Sequence, residues 1–295
     1  MKIIKLIPRG FCQGVVNAIN VLNDALINYA EKNIYCLGWI VHNENVVQEF
    51  INKGVKFLDD KNTSRYDLIK NLNDENAVVV FSAHGTADDV FTLAKNKGFI
   101  VLDSTCKYVS KIHEIIKAKM EEYKIIFIGK KNHPESIASL SINKDIIFID
   151  IDEARNNKSY ENLNLDKNKK YYLLNQTTIS IFDYYELIKY FKTHYTNIEY
   201  DCEICDATSK RQEAVLKMDN DVELLIVVGD QKSNNSNQLV YLAKTKQIPS
   251  YLVNNKQELN KAWFLNKNKI AITAGTSTPA DKINEVIEQI KSWNL

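Results

Sequence analysis

The sequence predicts an α/β protein of three similar domains, and three observations carry that expectation. Short runs rich in Val and Ile alternate with longer helical segments, the pattern of units built on mainly parallel sheets. Three cysteines, Cys12, Cys106 and Cys205, fall ninety-four and ninety-nine residues apart. Each stands where an apolar run gives way to a helix-like stretch. That period places the domains at residues 1–99, with Cys12, 100–200, with Cys106 and the His-Pro-Glu motif, and 201–295, with Cys205. Three such units folded about a pseudo-threefold axis would bring three thiolates to one point.

Residues 2–7 read as a first strand, and Val15, Ile19, Leu22, Leu26 and Tyr29 beyond Cys12 form one helical face. The run 34–41 reads as a buried strand in which Cys36 is a small core hydrophobe. The run 78–83 leads into His84 and Gly85, and the run 99–102 precedes Cys106, whose helix carries Val109, Ile112, Ile116 and Met120 on one face. Residues 125–129 lead into His133, Pro134 and Glu135, and residues 171–174 into Gln176, Thr177 and Thr178. Between them, the polar stretch 153–170 reads as a solvated surface connection. Cys205 precedes Ser209-Lys-Arg-Gln212, a capping-box match expected to open the helix that carries Ala214, Val215 and Met218. Finally, the run 224–229 leads into Ser233, Asn234 and Asn235, and the run 270–275 into Thr276 and Ser277.

Composition narrows the function. In a chain of 295 residues, 38 Lys and Arg nearly cancel 37 Asp and Glu, leaving a net charge of +1 and no global pull toward nucleic acid or anionic membrane. Small molecules or other proteins are the expected partners. No apolar run approaches the roughly 18 residues of a membrane span, and the first residues are interrupted by charge too early for a signal peptide. A reducing, cytoplasmic location follows as the expectation. Five cysteines are too few, and odd in number, for a disulfide scaffold, so ligation or catalysis is their expected use. Cys202 and Cys205 form a Cys-x-x-Cys pair, but a zinc finger needs a second pair at close spacing and none is present. Cys205 is therefore read as functional and Cys202 as its incidental neighbour.

A thiol just ahead of a helix is held near the positive end of the dipole, which favours the metal-binding thiolate. Three thiolates suit zinc, and equally an iron–sulfur cluster with one iron left open; three unrelated core cysteines are the bland alternative. An open iron is a Lewis acid for a hydroxyl, and a cluster also delivers electrons, so reductive or eliminative removal of a hydroxyl fits both capacities. In open parallel sheets, ligands bind beyond the carboxyl ends of the strands. Those ends carry His42, His84, His133, Ser233, Asn235 and Ser277, each able to donate to a phosphate oxygen. His113, on a helix, and His194, near a helix end, read as structural or exposed. Glu135 is the best general acid, since expelling hydroxide needs a proton and burial raises a carboxyl's pKa toward working pH. Thr177 and Thr178 suit a proton relay or a hold on a hydroxyl.

Taken together, Pro8-Arg-Gly-Phe-Cys-Gln-Gly14, Val41-His-Asn43, Phe81-Ser-Ala-His-Gly85, Asp103-Ser-Thr-Cys106 and His133-Pro-Glu135 resemble the 4-hydroxy-3-methylbut-2-enyl diphosphate reductases, the family that ends the methylerythritol phosphate pathway. Gln176-Thr-Thr-Ile-Ser180, Asp206-Ala-Thr208 with Arg211-Gln-Glu-Ala214, the stretch 229–237 and Thr273-Ala-Gly-Thr-Ser277 continue the resemblance to the end of the chain. It implies a trefoil of three α/β domains around a central iron–sulfur cluster of the 4Fe-4S type, ligated by Cys12, Cys106 and Cys205, with one open iron facing substrate. It implies a reaction in which two electrons and two protons convert the allylic diphosphate alcohol into isopentenyl and dimethylallyl diphosphates plus water. It assigns the diphosphate to His42, His84, His133, Ser233, Asn235 and Ser277, proton supply to Glu135 with His133 beside it, and the hydroxyl to Thr177. A reduced ferredoxin or flavodoxin would supply the electrons. Three departures stand out: Lys107 where the family commonly has Pro, Asn234 in place of a frequent Ser as a bulkier donor to the substrate, and a glycine-poor stretch after Glu135. Two other readings are an iron–sulfur hydro-lyase, which would consume no electrons, and a non-enzymatic iron–sulfur protein, which would bind no allylic diphosphate.

Overall fold

The computed structural model describes residues 1–59 and 61–293. The chain opens with β1 (Lys2–Lys5), α1 (Gln13–Asn28), β2 (Asn33–Leu37), α2 (Glu44–Asn52), β3 (Lys56–Leu58), α3 (Arg65–Asn71), β4 (Ala77–Phe81), α4 (Asp88–Asn96) and β5 (Ile100–Asp103). It continues through α5 (Lys107–Lys119), β6 (Lys124–Gly129), α6 (Pro134–Leu140), β7 (Ile147–Asp150), α7 (Ile151–Asn157), β8 (Tyr171–Asn175), α8 (Ile181–His194) and β9 (Ile198–Tyr200). It closes with α9 (Asp206–Leu216), β10 (Leu225–Val228), α10 (Asn234–Thr245), β11 (Ser250–Val253), β12 (Lys269–Ala274) and α11 (Ala280–Ser292).

The strands form three four-stranded sheets, ordered β3-β2-β4-β5, β7-β6-β8-β9 and β1-β12-β10-β11. Every strand pair is parallel, so the α/β class expected from the alternation holds. Inner strands are buried along their whole length, as continuous apolar runs covered on both faces must be: β4 (AVVVF), β8 (YYLLN) and β10 (LIVV) expose nothing, whereas β1 alternates toward exposure at its ends.

Sheet membership departs from the division at residue 99. β1 pairs with β12, Ile3 opposite Ile270 and Ile4 opposite Ala271, so the first strand belongs to the sheet of the C-terminal segment. β5 pairs with β4 and completes the first sheet, although it lies beyond residue 99. The physical reason is edge protection: β1 covers the side of β12 that would otherwise present unpaired N–H and C=O groups. By compactness the chain divides into two units, one of Met1–Val15, His42–Glu49 and Cys205–Leu295, the other of Val16–Val41 and Phe50–Ile204.

In the first unit, Ile226, Val228, Ile270 and Ile272 pack with Ile283, Val286, Ile287 and Ile290 of α11. The opposite face of the same sheet, Leu225, Val227 and Ala271, packs with Val215 of α9 and Leu239, Leu242 and Ala243 of α10. In the second unit, Ile126, Ile128 and Leu173 meet Tyr184, Leu187, Ile188 and Phe191 of α8, and on the other face Ile125, Phe127 and Leu174 meet Ile112 and Ile116 of α5. Burying each such side chain stabilises by about 1.5–3 kcal/mol, which fixes these sheets as a rigid base for the loops at their carboxyl ends.

Two local expectations are corrected. The polar stretch begins inside a helix: Asp150 Oδ1 accepts from the N–H groups of Asp152 and Glu153, capping α7, which ends where Lys158 turns left-handed. The helix after Cys205 starts at Asp206, three residues before the capping-box Ser. The Cys205 carbonyl already accepts from the N–H groups of Thr208 and Ser209, which leaves Ser209 one turn inside the helix.

Candidate functional site

Each predicted thiolate ligand sits at a helix N-terminus. Cys106 is the N-cap of α5, so the helix begins at Lys107 without a proline, and Cys205 is the N-cap of α9. Cys12 directly precedes Gln13, the first residue of α1. None of the three is in a disulfide and all are partly exposed, whereas Cys36 is sealed in the core and Cys202 is exposed. Strand-end carbonyls hold two of these corners: Cys106 N–H donates to Ala83 at 3.0 Å in the second unit, and Cys12 N–H to Thr276 at 3.0 Å in the first.

The second unit holds His84, Cys106, His133, Glu135 and Thr177. β6 ends at Gly129, and the chain turns through Asn132, in the left-handed region at φ 62°, into α6, which starts with Pro134 and has His133 as its N-cap. The Glu135 N–H donates to His133 Nδ1 at 3.2 Å. Nδ1 therefore presents its lone pair and the ring proton belongs on Nε2, making His133 a neutral donor at that atom. His84 packs edge-on to His133, with ring centroids 5.7 Å apart.

Glu135 is only 2 % exposed. Its Oε1 accepts from the Thr177 N–H at 2.7 Å and its Oε2 from the Thr177 hydroxyl at 2.9 Å. Burial pushes its pKa up from 4.5 to about 7, against the pull of those two bonds, which favour the ionised form. Such a carboxyl holds a proton near neutral pH and can release it. Gln176 builds the floor beneath it: its N–H donates to the Ile128 carbonyl at 2.8 Å, while its Oε1 accepts from the Lys130 N–H at 2.9 Å and the Ser136 hydroxyl at 3.3 Å.

The first unit holds Cys12, His42, Cys205, Ser233, Asn234, Asn235 and Ser277. The turn after β10 repeats the turn after β6. Ser233 caps α10 by accepting from the Ser236 N–H, and Asn235 Oδ1 accepts from the Thr276 N–H at 3.1 Å. Asn235 Nδ2 donates to Thr208 Oγ1 at 3.3 Å, and the Cys205 thiol donates to that same oxygen at 3.3 Å, so Thr208 joins a predicted ligand to a predicted substrate contact. Ser277 donates to the His42 carbonyl at 2.9 Å. Asn234 is buried and accepts from Gln238 Nε2.

The sequence reading assigned no role to Gln176, Ser136, Ser236, Thr208 or Arg211. A signal for some of them was present: Gly129, His133, Glu135 and Ser136 are matched one hundred residues on by Gly229, Ser233, Asn235 and Ser236. The two glycines admit those serines. A Cβ on Gly129 would meet Ser136 Oγ at 2.5 Å, and one on Gly229 would meet Ser236 Oγ at 2.3 Å. His113 is partly buried with Nε2 unpartnered, and His194 is exposed and bonded to the Tyr190 carbonyl, so neither joins the strand-end set.

Three parallel sheets, with hydrogen-bond donors and thiols beyond their strand ends, define the chain as an α/β protein. The sequence profile described as LytB protein matches residues 3–291. The chain belongs to the LytB family. It is 44 % identical over 292 residues to a 4-hydroxy-3-methylbut-2-enyl diphosphate reductase of Malacoplasma penetrans, covering 97 % of this chain and 96 % of that one. It is 40 % identical over 296 residues to the protein of the same name from Bacillus pumilus, covering 99 % and 91 %. Among solved structures it is similar to the E-1-hydroxy-2-methyl-but-2-enyl-4-diphosphate reductase of Plasmodium falciparum, at a TM-score of 0.88 and 32 % identity over 97 % of this chain and 87 % of that one.

Among the described residues, no three His, Cys, Asp or Glu side chains stand together as a preassembled metal site. The chemistry of the donors nevertheless suits a thiolate-ligated group: Cys12, Cys106 and Cys205 are each partly exposed at a helix N-terminus and outside any disulfide, and in the first unit Cys12 and Cys205 lie within Coulombic reach of the buried Arg211 guanidinium.

Proposed function

We propose that this chain reductively removes the hydroxyl of (E)-4-hydroxy-3-methylbut-2-enyl diphosphate. It is an oxidoreductase of isoprenoid synthesis, the activity for which its LytB relatives are named. The finer assignments are ours: isopentenyl and dimethylallyl diphosphates as products, a 4Fe-4S cluster held by Cys12, Cys106 and Cys205, and a reduced ferredoxin or flavodoxin as donor. When bound, the cluster would supply electrons and a Lewis-acidic iron.

The chain's own residues do the rest. His42, His84, His133, Ser233, Asn234, Asn235 and Ser277 would bind the diphosphate through neutral donors, with the Nε2 proton of His133 as one of them. Glu135 would deliver the proton that lets the hydroxyl leave as water, and Thr177, already bonded to both carboxyl oxygens, would orient acid and hydroxyl together. The observation that carries this reading is Glu135 itself, its buried carboxyl held by the N–H and hydroxyl of Thr177 and its pKa raised to about 7. We further propose three sheet-centred domains around the cluster and a cytoplasmic location. No helix among the described residues is long and apolar enough to cross a membrane.

The test is anaerobic purification with iron and sulfide analysis, followed by product analysis with and without a one-electron reductant. Sulfide-containing protein that forms both isomeric diphosphates only with reductant is the expected result. Loss of water without reductant, giving a dehydrated diphosphate in place of the two isomers, would make it a hydro-lyase, and zinc without sulfide would remove the cluster.

A further inference from the structure

Arg211, on α9, is 3 % exposed, yet among the described residues its guanidinium has no carboxylate partner. Nη1 donates to the Ala207 carbonyl at 2.7 Å, one turn back on the same helix, and Nη2 donates to the Gly10 carbonyl. Nε is buried with no hydrogen-bond partner. Gly10 lies in the left-handed region at φ +80°, two residues before Cys12. Ala207 lies two residues after Cys205. The guanidinium thus ties both cysteine-bearing segments of the first unit, and Cys12 and Cys205 are the acidic groups near enough to act on its charge. A buried cation satisfied only by carbonyls is costly unless an anion nearby offsets its charge.

We propose that Arg211 is the buried counter-charge of the thiolate-bound group: it joins the Cys12 loop to the first turn of α9 and offsets the negative charge carried by Cys12, Cys205 and what they bind. It touches no reacting atom and is a charge-balancing residue. A fixed cation beside a cluster favours the form with one more electron, so it raises the reduction potential. This inference rests on the cluster reading, and the experiment separates the two.

Iron and sulfide are first measured in the anaerobically purified wild-type protein; their absence sinks the cluster reading. With the cluster present, midpoint potentials are compared by spectroelectrochemistry in wild type, Arg211→Lys, Arg211→Gln and Arg211→Met. Loss of the charge in the Gln and Met variants is expected to lower the potential by at least the tenfold change in a one-electron equilibrium, about 59 mV, while the Lys variant keeps most of the wild-type value. Equal potentials in all four proteins, or a Lys variant shifted as far as the Gln variant, would overturn the proposal. So would failure of both neutral variants to fold in the cluster-free state, since the guanidinium would then be holding the chain together.

Discussion

Glu135 after β6 and Asn235 after β10 occupy matching places one hundred residues apart, each two residues beyond a helix N-cap. Each accepts a hydrogen bond from the second N–H beyond the neighbouring strand: Thr177 donates to Glu135 at 2.7 Å, and Thr276 to Asn235 at 3.1 Å. Beneath each, a serine lies against a glycine, Ser136 on Gly129 and Ser236 on Gly229. The backbone device is the same, and the chemistry is not. An amide in that cradle is permanently neutral, whereas a carboxyl there is neutral only because burial makes ionisation expensive. The comparison shows how a repeated scaffold yields one corner with a permanently neutral amide and one whose carboxyl can carry a proton near neutral pH.

The sharpest way to break the difference is Glu135→Gln, which turns the acid corner into a copy of the amide corner. Substrate should still perturb the cluster spectrum, while steady-state turnover with an artificial one-electron donor falls by about 10²–10⁴-fold, the usual worth of a general acid. Near-wild-type turnover would remove Glu135 from the proton path.

The same replacement should flatten a pH dependence of stability. Because the folded pKa lies above the unfolded one, the native state holds more protons between pH 4.5 and about 7, and unfolding free energy therefore falls as pH rises through that window. The contribution is about 3 kcal/mol by pH 8, read as the difference in urea midpoints between pH 5 and pH 8. Glu135→Gln should lose that slope, and Asn235→Asp should gain one in the same direction. Parallel pH profiles for wild type and both variants would contradict the neutral-carboxyl account.

Smaller effects separate the two floors. Ser236 is wedged between two glycines, since a Cβ on Gly275 would meet its Oγ at 2.0 Å, while Ser136 has Gly129 on one side and donates to Gln176 Oε1 on the other. Gly275→Ala should cost roughly 1–3 kcal/mol in thermal or urea melts, as overpacking usually does, and pairing it with Ser236→Gly should recover most of the loss. No recovery in the double variant would mean that the strain lies elsewhere. Smallest of all is the exchange of caps: Ser233→Ala removes the acceptor for the Ser236 N–H and should cost about 1 kcal/mol, whereas His133→Ser puts a capping oxygen in place of the ring Nδ1 and should cost less. Equal losses would show that the ring of His133 adds packing its cap role does not explain.

The α/β class was legible because parallel strands buried on both faces must be continuous apolar runs, and β4, β8 and β10 are written that way. The thiols were legible because a helix beginning beside Cys106 and Cys205 announces itself in the apolar periodicity that follows. Register and charge were not. Nothing local in Lys2–Lys5 says that it pairs with β12 across nearly the whole chain, because edge protection is settled by which strands are left open. Arg211 and Gln176 stand inside recognisable motifs without a role of their own, since their value comes from carbonyls and hydroxyls that other residues deliver. Glu135 could be named as an acid from its motif, but whether it is protonated depends on its burial and on Thr177, forty-two residues away. Sequence by itself determined the element types and the reactive side chains, which depend on neighbours along the chain; tertiary structure decided their pairing and protonation, which depend on neighbours in space and on the water they exclude.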